Sequence, residues 1–231
     1  MDVRTRGDHQ LDEPVPLARP PTGSVEGPAT VILTGPQGSG KTTACLSLVR
    51  RARQRGLDCA GIICPARLES ERKVGIDILD VRTGERRFLA AAGDLVKAPP
   101  LVKVLPSTRE RRTADGSRVA ERPPVESELR AGPYYFDQRA LAWGAARLRR
   151  ACPCDVLIVD EIGPLEMERA EGWANAIENL CARQYRLAVA VVRPSLVEAV
   201  RMALGGRPRV VHLPPVADAT RSELNDLLAM L

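Results

Sequence analysis

Short apolar runs alternate along this chain with segments in which apolar residues recur every three or four positions. The runs are typical of buried strands, and the longer period is typical of helices that bury one face. The predicted strands are Thr30 to Thr34, Cys59 to Cys64, Lys73 to Val81, Glu85 to Leu89, Asp155 to Val159, Arg186 to Val192 and Arg209 to Leu213. The predicted helices are Lys41 to Arg55, Asp137 to about Arg150, Ala170 to Cys181, Ser195 to Gly205-Gly206, and a leucine-rich helix after Thr220. This order predicts an α/β fold, a three-layer sandwich with a largely parallel sheet.

Turn and capping residues bound several of these elements. Gly56 is expected to end the first helix, and Asp137 is expected to cap the second. Ser195 and Glu198 have the spacing of a capping box, which predicts a helix start at that point. The two strands on either side of Arg82-Thr83-Gly84 are expected to form a hairpin that extends the sheet.

The distribution of proline, glycine and charge divides the chain into one domain and two less regular segments. Residues 1–28 are rich in proline and lack periodicity, which predicts a flexible N-terminal arm. Residues 29–231 are long enough for one principal core. Within them, the stretch from Pro99 to Gly132 mixes arginines with prolines and acids, so we expect an insertion or lid at about residues 99–131.

Overall composition indicates where the protein is expected to be located, and it says less about the chemistry of the protein. No apolar stretch approaches the length of a membrane span, and the N-terminus lacks the apolar segment of a signal peptide, so we expect a cytoplasmic protein without membrane contact. The net charge is +5, but arginines and acids alternate in most segments, which favours a solvated basic surface over a nucleic-acid site. The six cysteines lack zinc-ligand spacing and are interpreted as reduced thiols.

A glycine-rich loop follows the first predicted strand and leads directly into the first predicted helix. Its sequence satisfies the GxxxxGK[ST] pattern, in which backbone N–H groups and a helix N-terminus surround phosphate oxygens. Lys41 is expected to reach the β and γ phosphates and to act in catalysis, and the Thr42 hydroxyl is expected to coordinate Mg²⁺. The predicted nucleotide-binding residues are Gly35, Pro36, Gln37, Gly38, Ser39, Gly40, Lys41, Thr42 and Thr43.

Two acidic residues end the strand that begins at Asp155. Ligands bind at such strand ends in open α/β sheets, so we expect Asp160 to hold the Mg²⁺ shell and Glu161 to orient or deprotonate the attacking water. Arg193 follows the next predicted strand and is a candidate for stabilising negative charge in the transition state, and the arginines of the insertion are competing candidates for this role. The substrate indicated is a nucleoside triphosphate such as ATP or GTP, hydrolysed to diphosphate and phosphate.

Four segments resemble the nucleoside-triphosphatase family first described in thermophiles. They are Gly35 to Thr43, Gly61 to Ile78, Gly132-Pro133-Tyr134, and Val159 to Glu166. The resemblance implies a P-loop NTPase fold and hydrolysis of ATP, GTP and other triphosphates with little base preference. The chain departs from the family pattern at Ala66-Arg67-Leu68, where Glu-Val-Arg is usual, and at Pro133, where a lysine is usual.

Two other functions are compatible with the loop. A P-loop nucleoside or nucleotide kinase would use the arginine-bearing insertion as a lid, although an Asp160-Glu161 strand end suits activation of water better than delivery of a hydroxyl acceptor. A nucleotide-dependent switch associated with nucleic acid is the second alternative. Its stacking platform would have to be Tyr134-Tyr135-Phe136, a cluster that is more simply interpreted as core packing.

Overall fold

The computed structural model describes residues 27–70, 72–93, 111–112, 118–119, 128–167, 169, 171–205 and 208–214. Residues 1–26 of the predicted arm, most of the insertion and the predicted C-terminal helix lie outside these ranges. The strands are β1 (Ala29–Thr34), β2 (Cys59–Ile63), β3 (Ala66–Glu69), β4 (Arg72–Asp80), β5 (Arg86–Ala92), β6 (Arg111–Arg112), β7 (Arg118–Val119), β8 (Glu128–Ala131), β9 (Tyr134–Asp137), β10 (Val156–Ile162), β11 (Leu187–Val192) and β12 (Arg209–His212). The helices are α1 (Lys41–Gln54), α2 (Gln138–Arg149), α3 (Pro164–Met167), α4 (Ala176–Ala182) and α5 (Val197–Ala203).

The main sheet of the described residues has the order β12-β1-β11-β10-β2-β4-β5-β9-β8, with β3 beside β4, and β6 and β7 form a separate two-stranded sheet. The five strands from β12 to β2 are parallel to one another, which confirms the predicted α/β core. The pairings from β2 outward are antiparallel, and they include the predicted β4–β5 hairpin. The sheet is therefore mixed, with a parallel half followed by an antiparallel extension.

Helices cover both faces of the parallel half and complete the three layers. Along β1, Val31 and Leu33 point into one hydrophobic cluster and Ile32 points into the other, because neighbouring side chains of a strand alternate between faces. The first cluster contains Leu48 and its neighbours on α1. The second contains Leu148 of α2 with residues of α4 and α5. In the described ranges no helix is long and apolar enough to cross a bilayer.

Capping residues were predicted at two helix starts. One of these helices has the expected hydrogen bonds, and the other does not. Asp137 caps α2, since its Oδ1 accepts hydrogen bonds from the N–H groups of Arg139 at 2.8 Å and Ala140 at 3.4 Å. The capping box at Ser195 was a wrong prediction. Ser195 lies inside a 3₁₀ turn, Pro194–Leu196, which already bends the chain before α5 begins, and no side chain caps either element.

The predicted helix from Ala170 to Cys181 is shorter than expected. Helix α4 begins only at Ala176, because the preceding residues form a turn in which Gly172 adopts a left-handed conformation with φ +60°. The Glu171 N–H closes this turn on the Leu165 carbonyl at 2.8 Å. In contrast, β10 is longer than predicted and continues to Ile162, so that the acidic pair belongs to the strand itself.

Candidate active site

The glycine-rich loop joins the end of β1, which lies between β12 and β11, to the start of α1. Gly35 has φ +151°, and a Cβ at this position would lie 2.5 Å from the carbonyl oxygen of Leu213. The Leu213 N–H in turn donates to the Thr34 carbonyl at 2.8 Å. Only glycine allows the chain to leave β1 this close to the strand beside it.

The ammonium group of Lys41 lies over the loop that precedes its own helix. Its Nζ donates to the carbonyl oxygens of Gly35 at 2.9 Å and Pro36 at 2.8 Å, and to the Ser39 hydroxyl at 3.4 Å. Ser39 is buried, and its N–H donates to the Pro36 carbonyl at 3.2 Å. The lysine charge is therefore held at the loop, and Pro36 and Gln37 beside it are exposed.

Asp160 connects the loop helix to the acidic strand end. The Thr42 hydroxyl lies close enough to its carboxylate to favour the ionised form, and its Oδ2 accepts the Cys64 N–H at 3.2 Å. The side chain is almost completely buried, with Asp160 2% exposed. The structure thus brings together the two residues from which the sequence predicts a metal site. The Cys64 N–H, a backbone group, was not anticipated from the sequence.

Burial raises the pKa of Asp160 from 3.8 to about 6. The hydrogen bond from the Cys64 N–H and the nearby Thr42 hydroxyl favour the ionised form and oppose this rise, as does the positive charge of Lys41. The nearby Glu161 carboxylate adds to the rise. The protein therefore holds a carboxylate whose charge is incompletely compensated, next to a hydroxyl and an ammonium group.

Glu161 and Arg193 form an ion pair across the ends of two neighbouring strands. The Arg193 Nε donates to Glu161 Oε1 at 2.8 Å. The register between β10 and β11 shifts between Asp160 and Ile162, which takes Glu161 out of the regular pairing. Both side chains are partly exposed. The pair lies at the carboxyl ends of the parallel strands, as the loop does, since β11 lies between β1 and β10.

Glu166 is a further acidic residue near these strand ends, and the sequence did not single it out as a site residue. Its Oε2 accepts the Gly163 N–H at 2.8 Å, and its Oε1 accepts the Trp173 N–H at 3.1 Å. Burial raises the pKa of Glu166 and, with the neighbouring carboxylates, that of the Cys64 thiol. The sequence signal that could have pointed to Glu166 is its position at the end of the Val159 to Glu166 segment, which resembles the nucleoside-triphosphatase family.

A parallel α/β sheet with this loop between its first strand and helix, facing an acidic strand end, defines the P-loop NTPase fold. The family model described as NTPase matches residues 30–213. The chain belongs to this NTPase family and is a nucleoside-triphosphatase by membership.

Individual relatives agree with this assignment. A protein named nucleoside-triphosphatase THEP1 from Methanopyrus kandleri is 31% identical over 201 residues, which cover 86% of this chain and 92% of the relative. Another of that name, from Caldivirga maquilingensis, is 24% identical and covers 87% of this chain and 97% of the relative. The solution structure of a human cancer-related nucleoside triphosphatase has a TM-score of 0.57 at 22% identity, covering 87% of this chain and 96% of that one. The crystal structure of THEP1 from Aquifex aeolicus has a TM-score of 0.50 at 19% identity, covering 87% and 98%. These two structures share the fold.

Proposed function

We propose that this protein binds a nucleoside triphosphate with Mg²⁺ at the loop from Gly35 to Thr43 and hydrolyses its terminal phosphate. The observation that carries the proposal is that the Thr42 hydroxyl lies close enough to the Asp160 carboxylate to favour its ionised form. This proximity brings the glycine-rich loop and the acidic strand end together in one site. A broad base preference is part of the proposal, in keeping with the general term nucleoside-triphosphatase in the names of the relatives.

Phosphate binding is assigned to the loop and the start of α1. The helix N-terminus provides backbone N–H groups and the positive end of the helix dipole, both of which favour an anion. Lys41 adds a full positive charge that already lies over the loop. In this proposal the ammonium exchanges its bonds to the Gly35 and Pro36 carbonyls for bonds to phosphate oxygens.

The residues at the strand end fit Mg²⁺. Thr42 and Asp160 offer oxygen ligands, which are the ligands this cation prefers. Among the described residues no group of three or more His, Cys, Asp or Glu side chains could hold a metal. An ion that keeps several waters and takes the rest of its ligands from phosphate suits such a site better than one that needs a complete protein cage. When bound, Mg²⁺ neutralises charge on the phosphate oxygens.

Hydrolysis is assigned to the pair formed by Glu161 and Arg193. Glu161 orients a water molecule and accepts its proton, and the 2.8 Å bond from Arg193 fixes the direction of its carboxylate. Arg193 also brings positive charge next to the reacting phosphate, which stabilises charge that develops in the transition state. This assignment rests on the position of both residues at the carboxyl ends of the parallel strands, where the loop also lies.

The test is phosphate release from ATP, GTP, CTP and UTP, measured with Mg²⁺ and again with excess EDTA. We expect release from all four nucleotides with Mg²⁺ and its loss with EDTA. A parallel reaction with added nucleosides and nucleoside monophosphates separates hydrolysis from phosphotransfer. Radiolabelled γ-phosphate that appears on an acceptor, with no free phosphate, would replace the proposal with the kinase alternative.

The nucleic-acid alternative gains no support from the aromatic cluster. Tyr134 and Phe136 pack edge to face, with ring centroids 6.4 Å apart, and both lie against the hydrophobic core. Their role in the described structure is packing along β9 next to α2. A base-stacking surface would need exposed ring faces.

A further inference from the structure

The carboxylate of Glu166 links two segments beside the proposed site. Glu166 lies in α3, which follows directly after the strand that carries Glu161. One carboxylate oxygen accepts the N–H of Gly163, before α3, and the other accepts the N–H of Trp173, in the turn after it. A single side chain therefore accepts hydrogen bonds from the backbone on both sides of α3.

The Trp173 end of this link is fixed in the core. Trp173 is 3% exposed. A Cβ added to Gly144 of α2 would lie 2.3 Å from Cζ3 of this indole and 2.4 Å from Cδ1 of Ile78, so the ring packs directly on the α2 backbone. The Trp173 N–H that donates to Glu166 therefore belongs to a rigid part of the molecule.

The other end of the link lies next to the Glu161–Arg193 pair. A Cβ added to Gly163 would lie 3.5 Å from both Arg193 Nε and Glu166 Oε2. The Glu161 carboxylate is also close enough to contribute to the raised pKa of Glu166, after the larger effect of burial. The anchor and the proposed water-orienting group are therefore separated only by the short segment that runs from Glu161 to Gly163.

We propose that Glu166 is a positioning residue that sets the orientation of Glu161 by anchoring the Gly163 backbone to the core. This inference rests on the proposed role of Glu161 in hydrolysis. A displacement of a water-orienting carboxylate by about 1 Å is enough to slow a reaction by roughly a hundredfold. Glu166 itself contacts neither nucleotide nor water in this role, and it acts on the rate through the backbone.

Gly172 offers a second way to disturb the same link. It has φ +60°, and an added Cβ would lie 2.2 Å from Oε1 of Glu166. Alanine at this position would displace the end of the Glu166 side chain while leaving its carboxylate in the protein. Gly205 has φ +58° and no atom within 4 Å of an added Cβ, so it provides the same backbone strain without the displacement.

The experiment measures kcat and KM for ATP hydrolysis in Glu166→Gln and Gly172→Ala, with exposed Glu178→Gln and Gly205→Ala as matched controls. We expect kcat to fall by about tenfold or more in the first two variants, with KM within about twofold of wild type, because binding is left intact. The controls should keep the wild-type kcat. Glu161→Gln combined with Glu166→Gln should be no slower than Glu161→Gln alone, because both act through one group.

Three results would overturn the inference. An unchanged kcat in Gly172→Ala would do so even if Glu166→Gln failed to fold. A further loss in the double variant, or a rise in KM that accounts for the whole loss of activity, would make Glu166 a general structural residue. Wild-type turnover in Glu161→Gln is a separate outcome, read from that variant alone: it would remove the proposed role of Glu161 on which the inference rests, while hydrolysis itself would stand.

Discussion

The Thr42 hydroxyl in the first turn of α1 lies close enough to the Asp160 carboxylate, near the end of β10, to favour its ionised form. The two residues belong to elements far apart in the chain, and they meet because parallel strands place their carboxyl ends on one side of the sheet. This proximity joins the glycine-rich loop to the acidic strand end. Two oxygen ligands suited to a hard cation therefore lie side by side.

Removal of the Thr42 hydroxyl should weaken the use of Mg²⁺. Thr42→Val is nearly isosteric, but it removes one proposed oxygen ligand and the hydroxyl that favours the ionised form of Asp160. We expect the Mg²⁺ concentration for half-maximal phosphate release to rise by about tenfold or more. A magnesium titration of ATP hydrolysis measures this change. Thr42→Ser keeps the hydroxyl and should stay within about twofold of wild type, and an identical requirement in both variants would contradict the assignment.

Nucleotide binding should depend on Lys41 more than on other lysines. Lys41→Ala removes a charge that lies over the loop, and charge-assisted hydrogen bonds are worth about 1.5 to 3 kcal/mol each. We expect Kd for ATP to rise by roughly tenfold to a hundredfold in isothermal titration calorimetry. Lys73→Ala is the matched control, because its ammonium lies over the Tyr134 ring at 5.0 Å from the centroid. Equal affinity in the two variants would remove Lys41 from the binding site.

The raised pKa of Asp160 predicts that the protein is stabilised when this carboxyl is neutral. The folded protein binds the proton more tightly than the unfolded chain, with a pKa of about 6 against 3.8. The stabilisation is therefore complete below about pH 4 and is lost as pH rises through 6. Asp160→Asn stays neutral throughout. At pH 7.5 it should raise the free energy of unfolding by about 2 to 3 kcal/mol, since one pKa unit corresponds to about 1.4 kcal/mol.

Urea unfolding with EDTA at pH 7.5 and pH 4.5 measures this difference. The advantage of Asp160→Asn should be full at pH 7.5 and clearly smaller at pH 4.5, where Asp160 of the folded protein is mostly protonated. Exposed Glu178→Gln is the matched control for the removal of a carboxylate. A variant that is less stable than wild type at pH 7.5 would show that the hydrogen bonds of Asp160 outweigh the penalty for burying its charge.

The sequence predicts the local parts of this site better than the contacts between them. The loop and its lysine follow from one continuous motif, and Asp160 follows from an apolar strand with an acidic end. The Cys64 N–H is different, because any non-proline residue at that position would supply it. The partner of Glu166 at Trp173 depends on a left-handed turn at Gly172, where helical periodicity suggested a continuous helix. Contacts of this kind are set by backbone geometry, which residue patterns do not encode.

The ion pair between Glu161 and Arg193 should matter for turnover and little for stability. The side chains are 38% and 55% exposed, and pairs this accessible contribute at most about 1 kcal/mol. Arg193→Gln should therefore leave the free energy of unfolding within about 1 kcal/mol of wild type and lower kcat by about tenfold or more, because a charge near the reacting phosphate is lost. Arg201→Gln breaks a similarly exposed pair with Glu198 on α5 and should leave kcat unchanged. If Arg193→Gln and Arg201→Gln hydrolyse ATP at the same rate, the bond from Arg193 to Glu161 is an ordinary surface contact, and the positive charge for the transition state must come from elsewhere in the chain.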